Sequence, residues 1–205
     1  LLCYRWLDRW EPEPTRLTVM ALIWGGSAGV IFSFLVEMAI PASEFVTMAI
    51  VAPLAEELAK ASVFILVATG ARKLELTSLT DHIFYAGICA LGFAFVENLG
   101  YFALSSSAGE FVVMALVRTG FGVFGHPLYT TATAVGIWAW RTKGGLWKAA
   151  VGYIAACLLH GLWNGGPTLL AGSLGLDDTG QLAAMILVYI VLFVPVFIGT
   201  IIMTT

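Results

Sequence analysis

The sequence predicts an all-α polytopic membrane bundle of about six transmembrane helices with both termini cytoplasmic, and three observations predict it. Of 205 residues, 60% are hydrophobic and only 11% are charged, against about a quarter charged in an ordinary soluble domain. The apolar residues gather into runs of about 20, the length that crosses the hydrocarbon core of a bilayer as a helix. The lysines and arginines collect on alternate connections, the pattern that sets orientation in a membrane.

The elements follow in order. Trp6 and Trp10 beside Arg5 and Arg9 read as an interfacial stretch, which Glu11-Pro12-Glu13-Pro14 ends. The chain therefore divides into an interfacial segment at 1–16 and a transmembrane domain at 17–205. Apolar spans are predicted at roughly 17–39, 45–69, 82–104, 111–140, 147–171 and 181–203, each helical because lipid offers backbone polar groups no other partner. The fourth span holds Gly120, Gly122, Gly125 and Pro127, and the missing proline donor predicts a kink or break there. Arg5, Arg9 and Arg16 precede the first span, Arg72 and Lys73 follow the second, and Arg141, Lys143 and Lys148 join the fourth to the fifth. The other connections carry Glu44, Glu110, Asp177 and Asp178. Eight of the ten cations thus lie on the side assigned to the cytoplasm, leaving Lys60 and Arg118 inside spans. Nothing in this charge pattern supports nucleic-acid binding. Cys89 and Cys157 fall within spans and read as small packing residues.

Five residues do not belong in a purely structural span: Glu56, Glu57, Glu97, His126 and His160. A charge at bilayer depth costs a few kcal/mol or more, so chains that keep one generally need it for chemistry or transport. At about 1.5 Å of rise per residue, all five fall in the central to outer bilayer, on four different helices. One shared polar cavity is the economical reading. Glu56 and Lys60 are four residues apart on one helix face, which lets the lysine neutralise one of two adjacent carboxylates. One carboxylate can then carry a charge and the other a proton, the division that general acid and base catalysis uses. His160 and Asn164 share a stripe beside Trp163 and offer hydrogen bonds to a developing oxyanion. Arg118, Gly122 and His126 repeat at four-residue spacing, so the arginine lies about two turns outward on the histidine's face. Glu37, near the outer end of span one, reads as reaching for the interface, and His82, at an inner helix start, reads as solvated.

The ordered set Glu56-Glu57-x-x-Lys60, Phe93-x-x-x-Glu97-Asn98 with Tyr101, an isolated His126, and His160-x-x-Trp163-Asn164 resembles the PrsW family of intramembrane proteases, within the wider CPBP superfamily that includes the CAAX prenyl endopeptidases. Tyr4 to Pro14 is similar to the family's entry segment. The resemblance implies hydrolysis of a membrane-anchored protein substrate, such as an anti-sigma factor, in a bacterial cytoplasmic membrane. It implies Glu56 as the base that activates water, Glu57 as the group that tunes or shares its proton, and His160 with Asn164 as the oxyanion holders. Glu97 stands where the CAAX branch has a histidine, and with His126 it completes the catalytic cluster, supported by Lys60, Asn98 and Arg118. No His-Glu-x-x-His motif is present, which favours glutamate catalysis needing no cofactor. A zinc ion held by Glu56, Glu97, His126 and His160 is the alternative. The competing functional classes are a proton-coupled transporter, which needs access from both sides, and a scaffold whose polar groups only join helices. The oligomeric state is not legible.

Overall fold

A computed structural model describes residues 12–69, 76–122 and 125–204. The predicted interfacial segment falls mostly on residues 1–11, and the Arg72 and Lys73 connection on 70–75, so both lie outside the described residues. Each of the six predicted stretches is helical, and no strand occurs among the described residues.

Helix α1, Thr15–Ala39, is widened by a π-helical turn at Gly25–Gly29. Helix α2 runs over 44–61, with a π turn at Thr47–Val51 leading into Ala52–Ala61, and a break at Ser62 sets off α3, Val63–Thr69. Helix α4, Leu79–Ala103, opens on a reciprocal cap in which Ser78 and Asp81 accept each other's backbone N–H. Helix α5, Ala108–Leu116, continues through a π turn at Val117–Phe121 and stops at Gly122. Helix α6, Gly125–Lys143, then starts with Pro127 in its first turn, where a missing N–H does least harm. The described residues thus bend at Gly122, and 123–124, on which the rest of the expected kink or break falls, lie outside them. Gly144 and Gly145, at φ 66° and 83°, make the tight reversal into α7, Trp147–Leu174. The last helix, α8, spans 178–204 as Asp178–Val188, a π turn at Tyr189–Phe193, and Val194–Thr204.

Among the described residues, four helical stretches are long and apolar enough to cross a membrane: Thr15–Ala39, Leu79–Ala103, Ala108–Lys143 and Gly180–Ile202. The other two, α2 with α3 and α7, carry Glu56, Glu57, Lys60, His160 and Asn164. Their polarity is what separates them from plain lipid-crossing helices. Large apolar side chains face outward, as Ile31, Leu35 and Ile202 do at 60%, 58% and 70% exposure, which is the surface a lipid environment covers.

Helix α4 forms the centre, with Tyr85, Ala86, Ile88, Cys89 and Ala90 fully buried. Leu17 and Ala21 of α1, Val63, Phe64 and Val67 of α3, and Ala134 of α6 pack around it. Helix α1 approaches α4 closely because Gly25 faces Cys89 O and Gly92 faces Leu22 O, and a Cβ at either glycine would overlap that carbonyl. Gly92→Ala is therefore expected to force the two helices apart and to destabilise the protein by about 1–3 kcal/mol. Thermal unfolding in detergent would show it as a lowered Tm, and an unchanged Tm would contradict the close packing.

Candidate active site

The site is set by where Pro53 falls in α2. Proline has no N–H to donate, and in the π turn before it the Ala52 N–H bonds Thr47 O. Met48 O therefore loses both its usual donor, at 52, and the π-type donor, which would be Pro53. Asn164 Nδ2 of α7 donates to that carbonyl at 3.0 Å. The neighbouring Ala49 O faces Gly161, where a side chain would clash. This backbone embrace brings α7 against α2 and carries His160 to Glu57.

Glu57 is 0% exposed and fully engaged. Its Oε1 accepts from Lys60 Nζ at 2.7 Å and from His160 Nδ1 at 3.0 Å, and its Oε2 accepts from Thr130 Oγ1 of α6 at 2.8 Å. Glu56, one residue earlier, points elsewhere, because successive helical side chains diverge by about 100°. It lines a cavity of about 410 Å³ together with Glu37, Glu44, Met48, Phe93, Glu97, Tyr101 and Asn164. Among the described residues only its Oε2 has a hydrogen-bond partner, Lys60 Nζ at 3.4 Å. The two carboxylates, interchangeable in the sequence, are thus distinct: Glu57 is a braced anchor and Glu56 faces the cavity.

His126 stands across from His160, ring centroids 4.9 Å apart. Its Nε2 donates to Glu97 Oε2 at 2.9 Å, and its Nδ1 accepts from Lys60 Nζ at 2.8 Å. A carboxylate on one ring nitrogen and an ammonium on the other assign this tautomer. Glu97 is held in turn by Arg118, which bonds both Glu97 Oε2 and Asn98 Oδ1 and lies over the Tyr101 ring, 3.8 Å from its centroid. Each imidazole therefore has a carboxylate behind it, Glu57 for His160 and Glu97 for His126. Each presents its other nitrogen to Glu56: Oε2 lies 3.6 Å from His126 Nδ1 and 3.8 Å from His160 Nε2.

Glu56, His126 and His160 offer ligand atoms that all lie within 4.8 Å of one another. Glu97, counted in the sequence-based ligand set, is not in this group because its oxygen backs His126 from the far side. Asn164 does line the cavity, but one hydrogen of its amide is committed to Met48 O. His160 donates through Nδ1, which leaves Nε2 with a lone pair, so a neutral His160 is an acceptor facing Glu56 rather than an oxyanion donor. Two further expectations differ from what is observed. Glu37 lines the cavity rather than reaching only for the interface, and His82 is 1% exposed, stacked on Phe64 with Nδ1 bonded to Ser78 O. Sequence reasoning missed Thr130, although it lies four residues after His126 on the same helical face. It also missed Tyr129, whose ring stacks on His160 at 4.7 Å. A larger cleft of about 1010 Å³ is lined by apolar side chains such as Trp24, Phe32 and Leu58 and holds none of these groups.

No curated protein and no solved structure matches the chain. The model of the PrsW family intramembrane metalloproteases matches residues 13–200, a stretch that contains every residue of the cluster. An apolar helical bundle with two imidazoles set beside Glu56 and Glu97, glutamates that line a cavity, is suited to hydrolysis inside a membrane, and the chain belongs to the PrsW family of intramembrane proteases.

Proposed function

We propose that the chain is an endopeptidase that cuts a membrane-anchored protein, such as an anti-sigma factor of a bacterial cytoplasmic membrane, with Glu56, His126 and His160 holding a divalent metal such as zinc. One observation carries the metal. Three acceptor atoms, Glu56 Oε2, His126 Nδ1 and His160 Nε2, converge on one another, an arrangement that favours a cation; the Lys60 ammonium supplies one to the first two, and a divalent metal in its place would bind all three. A zinc site with bonds of about 2.0–2.2 Å separates its ligand atoms by about 3.5 Å, close to the 3.6 and 3.8 Å found here. The Glu57–His160 and Glu97–His126 pairs are the carboxylate–histidine arrangement that orients metal-binding imidazoles. This shifts weight from the cofactor-free glutamate mechanism that the missing His-Glu-x-x-His motif favoured. When bound, such a metal acidifies water and polarises a carbonyl.

The protein's own residues supply the rest. With Oε2 on the metal, the other oxygen of Glu56, Oε1, would take a proton from the attacking water, whose hydroxyl adds to the scissile carbonyl carbon. The remaining hydrogen of the Asn164 amide is available to the resulting oxyanion. As the C–N bond breaks, Glu56 returns the proton to the leaving nitrogen, so one carboxylate serves as base and then acid. Glu57 and Glu97 fix the two imidazoles, and Phe93 and Met48 limit water at the cavity wall. Glu37 and Glu44, on either side of the 40–43 connection, place the mouth at that end of the bundle. With six crossings and cytoplasmic termini, that end is the external face, so cleavage falls on the outer part of the substrate's span.

Metal content decides between the mechanisms. Purified protein is expected to carry about one zinc-class ion per chain by elemental analysis, His160→Ala to carry almost none, and chelation to abolish cleavage until zinc is restored. Full activity in a metal-free, chelator-treated preparation would leave Glu56 as the sole activator of water.

A further inference from the structure

Lys60 occupies an unusual position for a counter-ion. Its side chain is fully buried, and its ammonium reaches three groups: Glu57 Oε1 at 2.7 Å, His126 Nδ1 at 2.8 Å and Glu56 Oε2 at 3.4 Å. The first belongs to the braced anchor. The other two are atoms of the donor set that would face a metal.

An ammonium at 2.8 Å uses the single in-plane lone pair of His126 Nδ1, and that lone pair cannot also bind a metal. Two cations on the same pair of atoms would also repel each other strongly in a buried, low-dielectric site. We propose that Lys60 and the metal compete for His126 Nδ1 and Glu56 Oε2, so that the lysine must turn away from both whenever a divalent cation binds. The inference rests on the metal reading above. The lysine has somewhere to go without reaching water. Glu57 Oε1 already accepts its hydrogen bond, and the Phe93 ring lies 4.6 Å from Nζ, a face that attracts an ammonium. Lys60 then sets metal affinity below what two braced imidazoles and a carboxylate would give alone, and it keeps the acidic cluster compensated in either arrangement.

The test uses Co²⁺, whose visible absorption reports inner-sphere ligands, titrated into purified full-length protein in detergent. Lys60→Met keeps an unbranched apolar side chain out to the ε position and removes the ammonium, and it is expected to bind Co²⁺ at least tenfold more tightly than wild type. Arg118→Gln removes the same unit of charge from the neighbouring Glu97 without freeing either acceptor, and it is expected not to tighten binding. Equal or weaker Co²⁺ affinity in Lys60→Met overturns the competition, and so does equal tightening by Arg118→Gln. The wild type gives an independent reading if Lys60→Met fails to fold. With [¹⁵Nζ]lysine labelling, this sequence contributes signals from Lys60, Lys73, Lys143 and Lys148, and loss of one resonance in Lys60→Met assigns Lys60. Saturating Zn²⁺ should move the Lys60 resonance and leave the others, whereas an unmoved Lys60 resonance refutes the proposal. Failure of both wild type and Lys60→Met to take up Co²⁺ would instead remove the metal reading itself.

Discussion

Glu56→Gln is expected to lower the cleavage rate by about 10²–10⁴-fold, the range that a positioned general base contributes, while leaving the bundle folded. Glutamine preserves the size of the side chain and keeps an oxygen that Lys60 Nζ can reach, now at 3.4 Å from Glu56 Oε2. It cannot take a proton from water, and its neutral amide is a poorer ligand for the metal, so metal content measured on the variant separates the two losses. Glu56 also lines the cavity and has one oxygen with no hydrogen-bond partner among the described residues, so the substitution breaks little that holds the helices together. The measurement is cleavage of a membrane-anchored substrate by purified variant and wild type in the same lipid, alongside thermal unfolding. A Glu56→Gln protein that cuts at the wild-type rate would move the base to another residue. Glu97 would be the next candidate, because it too lines the cavity.

The same comparison explains how far the sequence could be read. Depth was legible because helical rise is fixed, so counting residues put Glu56, Glu57, Glu97, His126 and His160 at comparable levels. They do meet, through the His160–Glu57, His126–Glu97 and Lys60–His126 contacts. Direction around each helix was less legible. The sequence could not tell whether Glu56 or Glu57 faces the cavity, since both are polar neighbours and only the partners on α6 and α7 distinguish them. It could not tell which imidazole nitrogen is free, because that depends on which carboxylate stands behind each ring. Asn164 shows a third limit. Its spacing from His160 suggested an oxyanion donor, yet its amide first answers a carbonyl orphaned by Pro53 on another helix. Glu37 shows a fourth, since a glutamate near a helix end reads as interfacial until the neighbouring helix closes a cavity beside it.

Glu57→Ala is expected to affect folding before it affects chemistry. The carboxylate is 0% exposed and accepts from Lys60, His160 and Thr130, which come from three helices. Removing one partner of a buried ion pair leaves the other charge uncompensated and costs about 3–5 kcal/mol. Here the stranded ammonium keeps only Glu56 and His126, and the Thr130 hydroxyl loses its acceptor in the protein interior. Denaturant or thermal unfolding in detergent should show the loss directly. A second substitution separates charge from packing. If the cost arises from the stranded ammonium, Lys60→Met added to Glu57→Ala should recover much of the lost stability, because the pair would then be absent rather than broken. If instead the double variant is no more stable than Glu57→Ala, the contribution of Glu57 lies in the His160 and Thr130 hydrogen bonds. A Glu57→Ala protein that unfolds at the wild-type temperature would show that this carboxylate anchors neither, and the braced orientation of His160 would lose its support.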